Sequence, residues 1–128
     1  MEAPESPAHD AGTLIYGDLS SGEQHAAAIL DAVRRSPDWR DTAVIVTYDE
    51  NGGFWDHVSP PVVDRWGPGT RVPTLVISPL ARRHHVDHNR YDTTSILATI
   101  EHRWGLPPLT VRDATATDLR RAFRRSER

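Results

Sequence analysis

Cysteine is absent from this 128-residue sequence, which excludes both a disulfide and a thiolate-bound metal. Long apolar runs are absent too: no window approaches the roughly 20 apolar residues of a membrane span. No charge of one sign dominates. Fifteen basic residues stand against 18 acidic ones, for a formal net charge of −3, and nothing in that balance suggests a nucleic-acid binder. The local exception is the run Arg120, Arg121, Arg124, Arg125 and Arg128, which reads as a solvated helix face or a frayed end. The opening Met-Glu-Ala-Pro-Glu-Ser-Pro-Ala has neither the basic start nor the apolar centre of a signal peptide. There is no P-loop, no Gly-x-Gly-x-x-Gly fingerprint and no Gly-x-Ser-x-Gly nucleophile elbow.

What is present suits a folded domain, or a large piece of one, able to bury a core: 38% hydrophobic residues, 26% charged residues and four Trp. Residues 1–19 read as an irregular segment with an apolar island at Leu14-Ile15-Tyr16. Within residues 20–128, Ser20 and Glu23 have the spacing of a capping box. Ala26, Ile29, Leu30 and Val33 follow at helical spacing, and the helix should stop before Ser36-Pro37. Ala43–Tyr48 and Val72–Ser78 are β-branched, nearly apolar runs that predict two buried strands. Between them, residues 49–71 form a Gly- and Pro-rich loop long enough to be a working one. Asp92 is placed to cap a helix with Ile96, Leu97, Ile100 and Trp104 on one face. Gly105 and Pro107-Pro108 should end it. Thr115 and Asp118 are placed to open a last helix through Leu119 and Phe123. The pattern is α/β. Two strands do not make a stable doubly wound sheet, so the chain reads as an incomplete domain, with strands that a partner or a larger sheet must cover.

The chemistry-bearing residues concentrate in "YDENGGFWDHVSPP", residues 48–61. Adjacent carboxylates gain nothing by repelling each other. Asp49 and Glu50 therefore either face water in a turn or hold a divalent cation beyond the carboxyl end of a strand, with Gly52-Gly53 permitting the turn. In Asp56-His57, an Asp can fix a His tautomer and the His can donate to phosphate or bind metal; a surface His beside an Asp is the alternative. His84, His85 and His88 have a spacing that suits a transition metal, and also an exposed Arg-Arg-His-His turn. His9 is either a site residue or a mobile terminal one. His25 and His102 fall on helices as structural or solvated residues. Ser78 and Ser95 are the available hydroxyls, and Ser95 sits where capping is the expected role.

Two stretches resemble a known family: "SPDWRDTAVIVTYDENGGFWDHVSPP", and "GPGTRVPTLVISPLARRHHVDHNRYDTTSILATIEHRWGLPPL". In this order and spacing they look like the bacterial phosphoesterase family of phospholipases C and acid phosphatases. The resemblance covers about residues 20–123. It implies the C-terminal part of an alkaline-phosphatase-like α/β fold, and hydrolysis of phosphoric esters, phospholipids among them. It further implies that Asp49 and Glu50 match adjacent acidic ligands of a divalent metal cation. His57 matches the His of an Asp-His-Val motif beside the site. His9 is set against a phosphate-contacting His, although the family usually has a His-Pro step there. The family's N-terminal half carries a Glu-Asn metal-binding pair and the Ser or Thr nucleophile, and neither has an equivalent in this sequence. Members are often secreted. The expectation is thus a partial phosphoester hydrolase needing an N-terminal partner chain. The alternative is a non-catalytic metal- or partner-binding remnant that completes another chain.

Overall fold

Helix α1, Leu19–Arg35, begins ahead of Ser20, so the residue that the capping-box spacing puts at the flanking cap lies inside the helix. The computed structural model describes residues 19–124, so His9 and the island Leu14-Ile15-Tyr16 lie outside the described residues. The chain divides into two units, one up to Trp39 and one from Arg40 onward. In the first, Leu30 and Val33 are half-buried while Ile29 stays exposed. The helix stops where expected: the Ser36 hydroxyl accepts the Asp38 N–H at 3.1 Å, and the 3₁₀ turn Pro37–Asp41 follows. Proline at the first position of that turn loses no hydrogen bond there.

In the second unit, β1 (Val44–Thr47) and β2 (Thr74–Ile77) pair antiparallel, from Val44 opposite Ile77 to Thr47 opposite Thr74. The Thr47 and Thr74 hydroxyls meet at 2.9 Å. Beyond the other end, the Ser78 hydroxyl donates to the Thr42 carbonyl at 2.7 Å. The strands fall where the β-branched runs predict, but they are not buried: Val46 is 38% and Leu75 59% exposed. Two strands offer each other hydrogen bonds and leave both faces needing cover.

Helix α2, Thr94–Trp104, is held at both ends by signals visible in the sequence. The Asp92 carboxylate accepts the Thr94 N–H at 2.8 Å, and the Ser95 hydroxyl accepts the Asp92 N–H at 3.0 Å. Both bonds brace the first turn from one residue ahead of the N-cap, Thr93, whose own side chain makes no cap bond. At the far end Gly105 has φ 64° and ψ 34°, and the Leu106 N–H reaches the Glu101 carbonyl at 2.9 Å. Only glycine enters that left-handed conformation without a steric cost.

The face of α2 that is buried differs from the expected one. Ser95, Ala98 and Glu101 are buried, while Ile100 is 42% and Trp104 67% exposed. The inward face meets α3 (Val111–Thr115) and a 3₁₀ turn, Leu119–Ala122. These contacts are largely polar. The Thr99 hydroxyl accepts the Leu119 N–H at 2.9 Å, and the His102 Nδ1 stands 2.6 Å from Asp118. The last helix predicted from Thr115 and Asp118 is therefore corrected. Thr115 ends α3, which opens at a Thr110–Asp113 capping box, and Asp118 caps a single 3₁₀ turn by accepting the Arg120 N–H at 3.1 Å. Ala81 then bridges Phe123, tying the chain end back to the loop after β2.

Candidate functional site

At the carboxyl end of β1 the chain turns out of the sheet. Asp49 and Glu50 are both exposed, and one Asp49 oxygen accepts the Glu50 N–H at 3.0 Å. Asn51 shapes the next turn: its amide donates to the Phe54 carbonyl at 2.9 Å, and its carbonyl accepts the Phe54 N–H at 3.0 Å. Gly52 and Gly53 have φ of 61° and 79°, so the turn needs both glycines. The two carboxylates are displayed side by side with their remaining oxygen lone pairs facing solvent.

Asp56 does not hold His57. It is clamped by Arg71, whose Nε and Nη2 donate at 2.9 and 2.8 Å while the Arg71 N–H adds a third bond at 3.1 Å. The Val58 N–H donates to it as well, at 3.0 Å. His57 Nδ1 lies 3.9 Å from the same carboxylate, beyond hydrogen-bond reach, and its side chain is 83% exposed. The Arg71 fork, joined by the Val58 N–H, holds the Asp56 carboxyl far below the usual carboxylate range. Arg71 was missed in the sequence because it lies 15 residues away. Its only signal is its place at the head of the second apolar run.

The clamp closes residues 56–71 into a loop. Asp64 secures the tip by accepting the Trp66 and Gly67 N–H groups, both at 2.8 Å. Replacing Asp56 by Asn removes the carboxylate and leaves Arg71 with a neutral partner. Limited proteolysis should then cut the loop about tenfold faster, since cleavage follows local opening. The sign with pH follows from the depressed carboxyl. Protection of the parent loop is full above the ordinary aspartate range and is lost only on strong acidification.

The remaining candidates separate. His84, His85 and His88 are exposed, with His84 at φ 50°. Asp87 instead accepts the Tyr91 hydroxyl at 2.8 Å and the Asn89 N–H at 3.0 Å. Burial pushes the Tyr91 hydroxyl up to about 12, helped by its bond to Asp87. Among the described residues, no three His, Cys, Asp or Glu side chains gather as a metal group. Neither candidate hydroxyl is free: Ser78 serves Thr42 and the Leu80 N–H, and Ser95, 1% exposed, serves Asp92.

The chain belongs to the Phosphoesterase family, whose model matches residues 15–107. It is 32% identical to the non-specific phospholipase C1 of Arabidopsis thaliana over 84% of this chain and 25% of that protein. It is 40% identical to phospholipase C B of Mycobacterium tuberculosis, over 77% of this chain and 25% of the relative. The non-hemolytic phospholipase C of Burkholderia pseudomallei is 34% identical over 79% of this chain and 18% of its own length. The chain therefore spans about a quarter or less of these relatives. No described helix is long and apolar enough to cross a membrane.

Proposed function

We propose that this chain is the cation-carrying part of a phosphoric ester hydrolase of the phospholipase C type, completed by a phosphoesterase segment that the described residues do not contain. One observation carries the reading: an exposed Asp49-Glu50 pair at the carboxyl end of β1, inside the matched family segment. Two hard oxygen donors suit a divalent cation in kind, whereas Ca²⁺ or Mg²⁺ needs about six or more oxygens. Asp49 and Glu50 would hold it only together with ligands from elsewhere. A bound divalent cation would supply neutralisation of the phosphoester charge and a lowered pKa for a nearby hydroxyl or water. The protein's own contribution is positional. The Asn51 turn presents the carboxylates, and the Asp56–Arg71 clamp fixes the segment bearing His57. His57, exposed and free of that clamp, is assigned as proton donor to phosphate or leaving group. His9 is assigned a phosphate contact. The nucleophile is assigned to the missing segment, since Ser78 and Ser95 are already engaged in holding backbone.

The apolar surface supports the same incompleteness. Ile100 and Trp104 on α2, Val46 and Leu75 on the sheet, and Phe54 and Trp55 on the loop are all exposed. Relatives about four times longer have the chain to cover them. The occupant we assign is the upstream part of a phosphoesterase domain, in the same polypeptide or in another. The second reading, a non-catalytic remnant that completes another chain, is favoured only by the engaged serines.

The test has two readouts on the 128-residue chain. Calorimetric titration with Ca²⁺, Mg²⁺, Mn²⁺ or Zn²⁺ should show weak binding, reduced about tenfold in Asp49→Ala by loss of a charged ligand. Hydrolysis of chromogenic phosphodiester and monoester should be negligible until the upstream part of a relative is added. Cation binding unaffected by Asp49→Ala would sink the metal assignment. Strong turnover by the chain alone would sink the assignment of the nucleophile to another segment. Restored cation binding without turnover in the reassembled protein would favour the non-catalytic reading.

A further inference from the structure

Four exposed arginines line one open surface cavity far along the sequence from the Asp49-Glu50 turn. Arg82, Arg120, Arg121 and Arg124 line it together with Phe123, around a volume of about 420 Å³. The arrangement is built by backbone pairing. The Arg82 N–H donates to the Ala122 carbonyl at 2.9 Å and the Arg124 N–H to the Leu80 carbonyl at 2.9 Å, flanking the bridge between Ala81 and Phe123. Arg120 and Arg121 thus lie on a 3₁₀ turn and Arg124 just beyond it, while Arg125 and Arg128 lie outside the described residues. A short antiparallel contact brings Arg120, Arg121 and Arg124 against Arg82, some 40 residues earlier.

The charges are not balanced. Among the described residues, only Arg120 meets a carboxylate, Asp118, at 2.6 Å. The other three donate to neutral oxygens: Arg82 Nε to the Phe123 carbonyl at 3.3 Å, Arg121 Nη1 to Asn89 Oδ1 at 3.2 Å, and Arg124 Nη2 to the Pro79 carbonyl. Each uses one or a few of its donors there, and a guanidinium has five. Among the described residues, three cationic forks therefore share a cavity with no anion to offset them, on a chain whose net charge is −3. Like charges held together cost free energy that a multivalent anion would recover. Paired planar forks match tetrahedral oxyanions bidentately.

We propose that this cavity is a binding site for a phosphate-bearing anion, built from residues other than those of the proposed hydrolytic site and independent of that proposal. The recognised chemistry is a phosphate group with at least two negative charges. It is available from free phosphates or from the headgroup of an acidic phospholipid. Phe123 gives the cavity an apolar wall beside the cationic one.

The test titrates the 128-residue chain with pyrophosphate while following backbone amide signals by NMR. Shifts should concentrate at residues 80–82 and 120–124 and weaken as salt is added. Arg121→Gln is the chosen variant because its side chain hydrogen-bonds Asn89 and takes no part in the Ala81–Phe123 pairing. It should weaken binding about tenfold, the worth of one charge-assisted contact, and Arg121→Lys should recover part of the loss. Sedimentation with phosphatidylcholine vesicles, with and without phosphatidic acid, identifies the source. Capture that requires phosphatidic acid and drops in Arg121→Gln assigns the site to lipid. A pyrophosphate response without vesicle capture assigns it to free phosphates. A flat response to both probes overturns the proposal, and so does an affinity that Arg121→Gln leaves unchanged.

Discussion

Asp118→Ala is expected to lower the unfolding free energy of the second unit by about 2 kcal/mol, the upper end for loss of a cap. That is a factor of roughly 30 in the folding constant. Asp118 is 7% exposed, and its carboxylate is bonded by both the turn it caps and α2. It accepts the Arg120 N–H at 3.1 Å and Arg120 Nε at 2.8 and 2.7 Å, and it stands 2.6 Å from His102 Nδ1. Truncation uncaps the turn Leu119–Ala122 at the point where Leu119, one of two buried apolar side chains among the described residues, enters the core. The same truncation leaves the His102 and Arg120 donors unmatched. Burial pushes the Asp118 carboxyl up, but the bonds from His102 and Arg120 outweigh it and leave it below its ordinary value of 3.8. The sign is therefore that of a depressed acid. Its contribution is complete above the ordinary aspartate range and is lost as pH falls through its lowered value. Urea unfolding followed by tryptophan fluorescence at neutral and acidic pH checks both parts. A loss within about 0.5 kcal/mol at neutral pH, typical of surface substitutions, would show that the cap is dispensable.

The sequence was most informative where a local rule decides the outcome alone. Gly105 ends α2 because the left-handed position tolerates little else, and Asp92 with Ser95 braces its start because both partners lie within one turn. The β-branched runs located the strands, but neither their antiparallel pairing nor their exposure follows from composition. A nearly apolar run reads the same whether its cover is present or missing. The buried face of α2 was misjudged for a related reason. Periodicity favoured Ile96, Leu97, Ile100 and Trp104, whereas the described neighbours of the helix are the polar elements after Gly105. Those neighbours select Ser95, Ala98 and Glu101. In the candidate site, Asp49 and Glu50 were legible because they are adjacent. The Asp56–Arg71 clamp was not, because its members come from opposite ends of a long loop. The gathering of Arg82 with Arg120, Arg121 and Arg124 depends on a bridge that no short-range pattern announces.

Glu101→Gln should stabilise the protein at neutral pH, with a rise in Tm of about 5 °C for a domain of this size. Glu101 is 4% exposed on the inner face of α2, and its Oε1 has no hydrogen-bond partner. Its neighbour across the interface is Asp113, 2% exposed, which accepts the Leu109 N–H at 2.6 Å, the Thr110 N–H at 2.9 Å and the Thr110 hydroxyl. Two buried carboxyls in contact cannot both ionise cheaply. The environment divides them: burial, then the bond to Asp113, pushes Glu101 up, while the Thr110 hydroxyl leads the groups that pull Asp113 down. A proton shared by the pair therefore favours Glu101 over Asp113. A raised acid contributes fully below its unfolded value, near 4.5, and its contribution is lost as pH rises through the raised value in the folded state. Glutamine supplies the same donor to Asp113 without having to hold a proton. The variant should therefore be nearly equal to the parent in mild acid and exceed it increasingly toward neutral pH. Thermal unfolding of both proteins across that range measures the difference directly. A gap independent of pH would mean that Glu101 acts by shape alone. A destabilised variant would mean that its ionised form, not its proton, is what the interface needs.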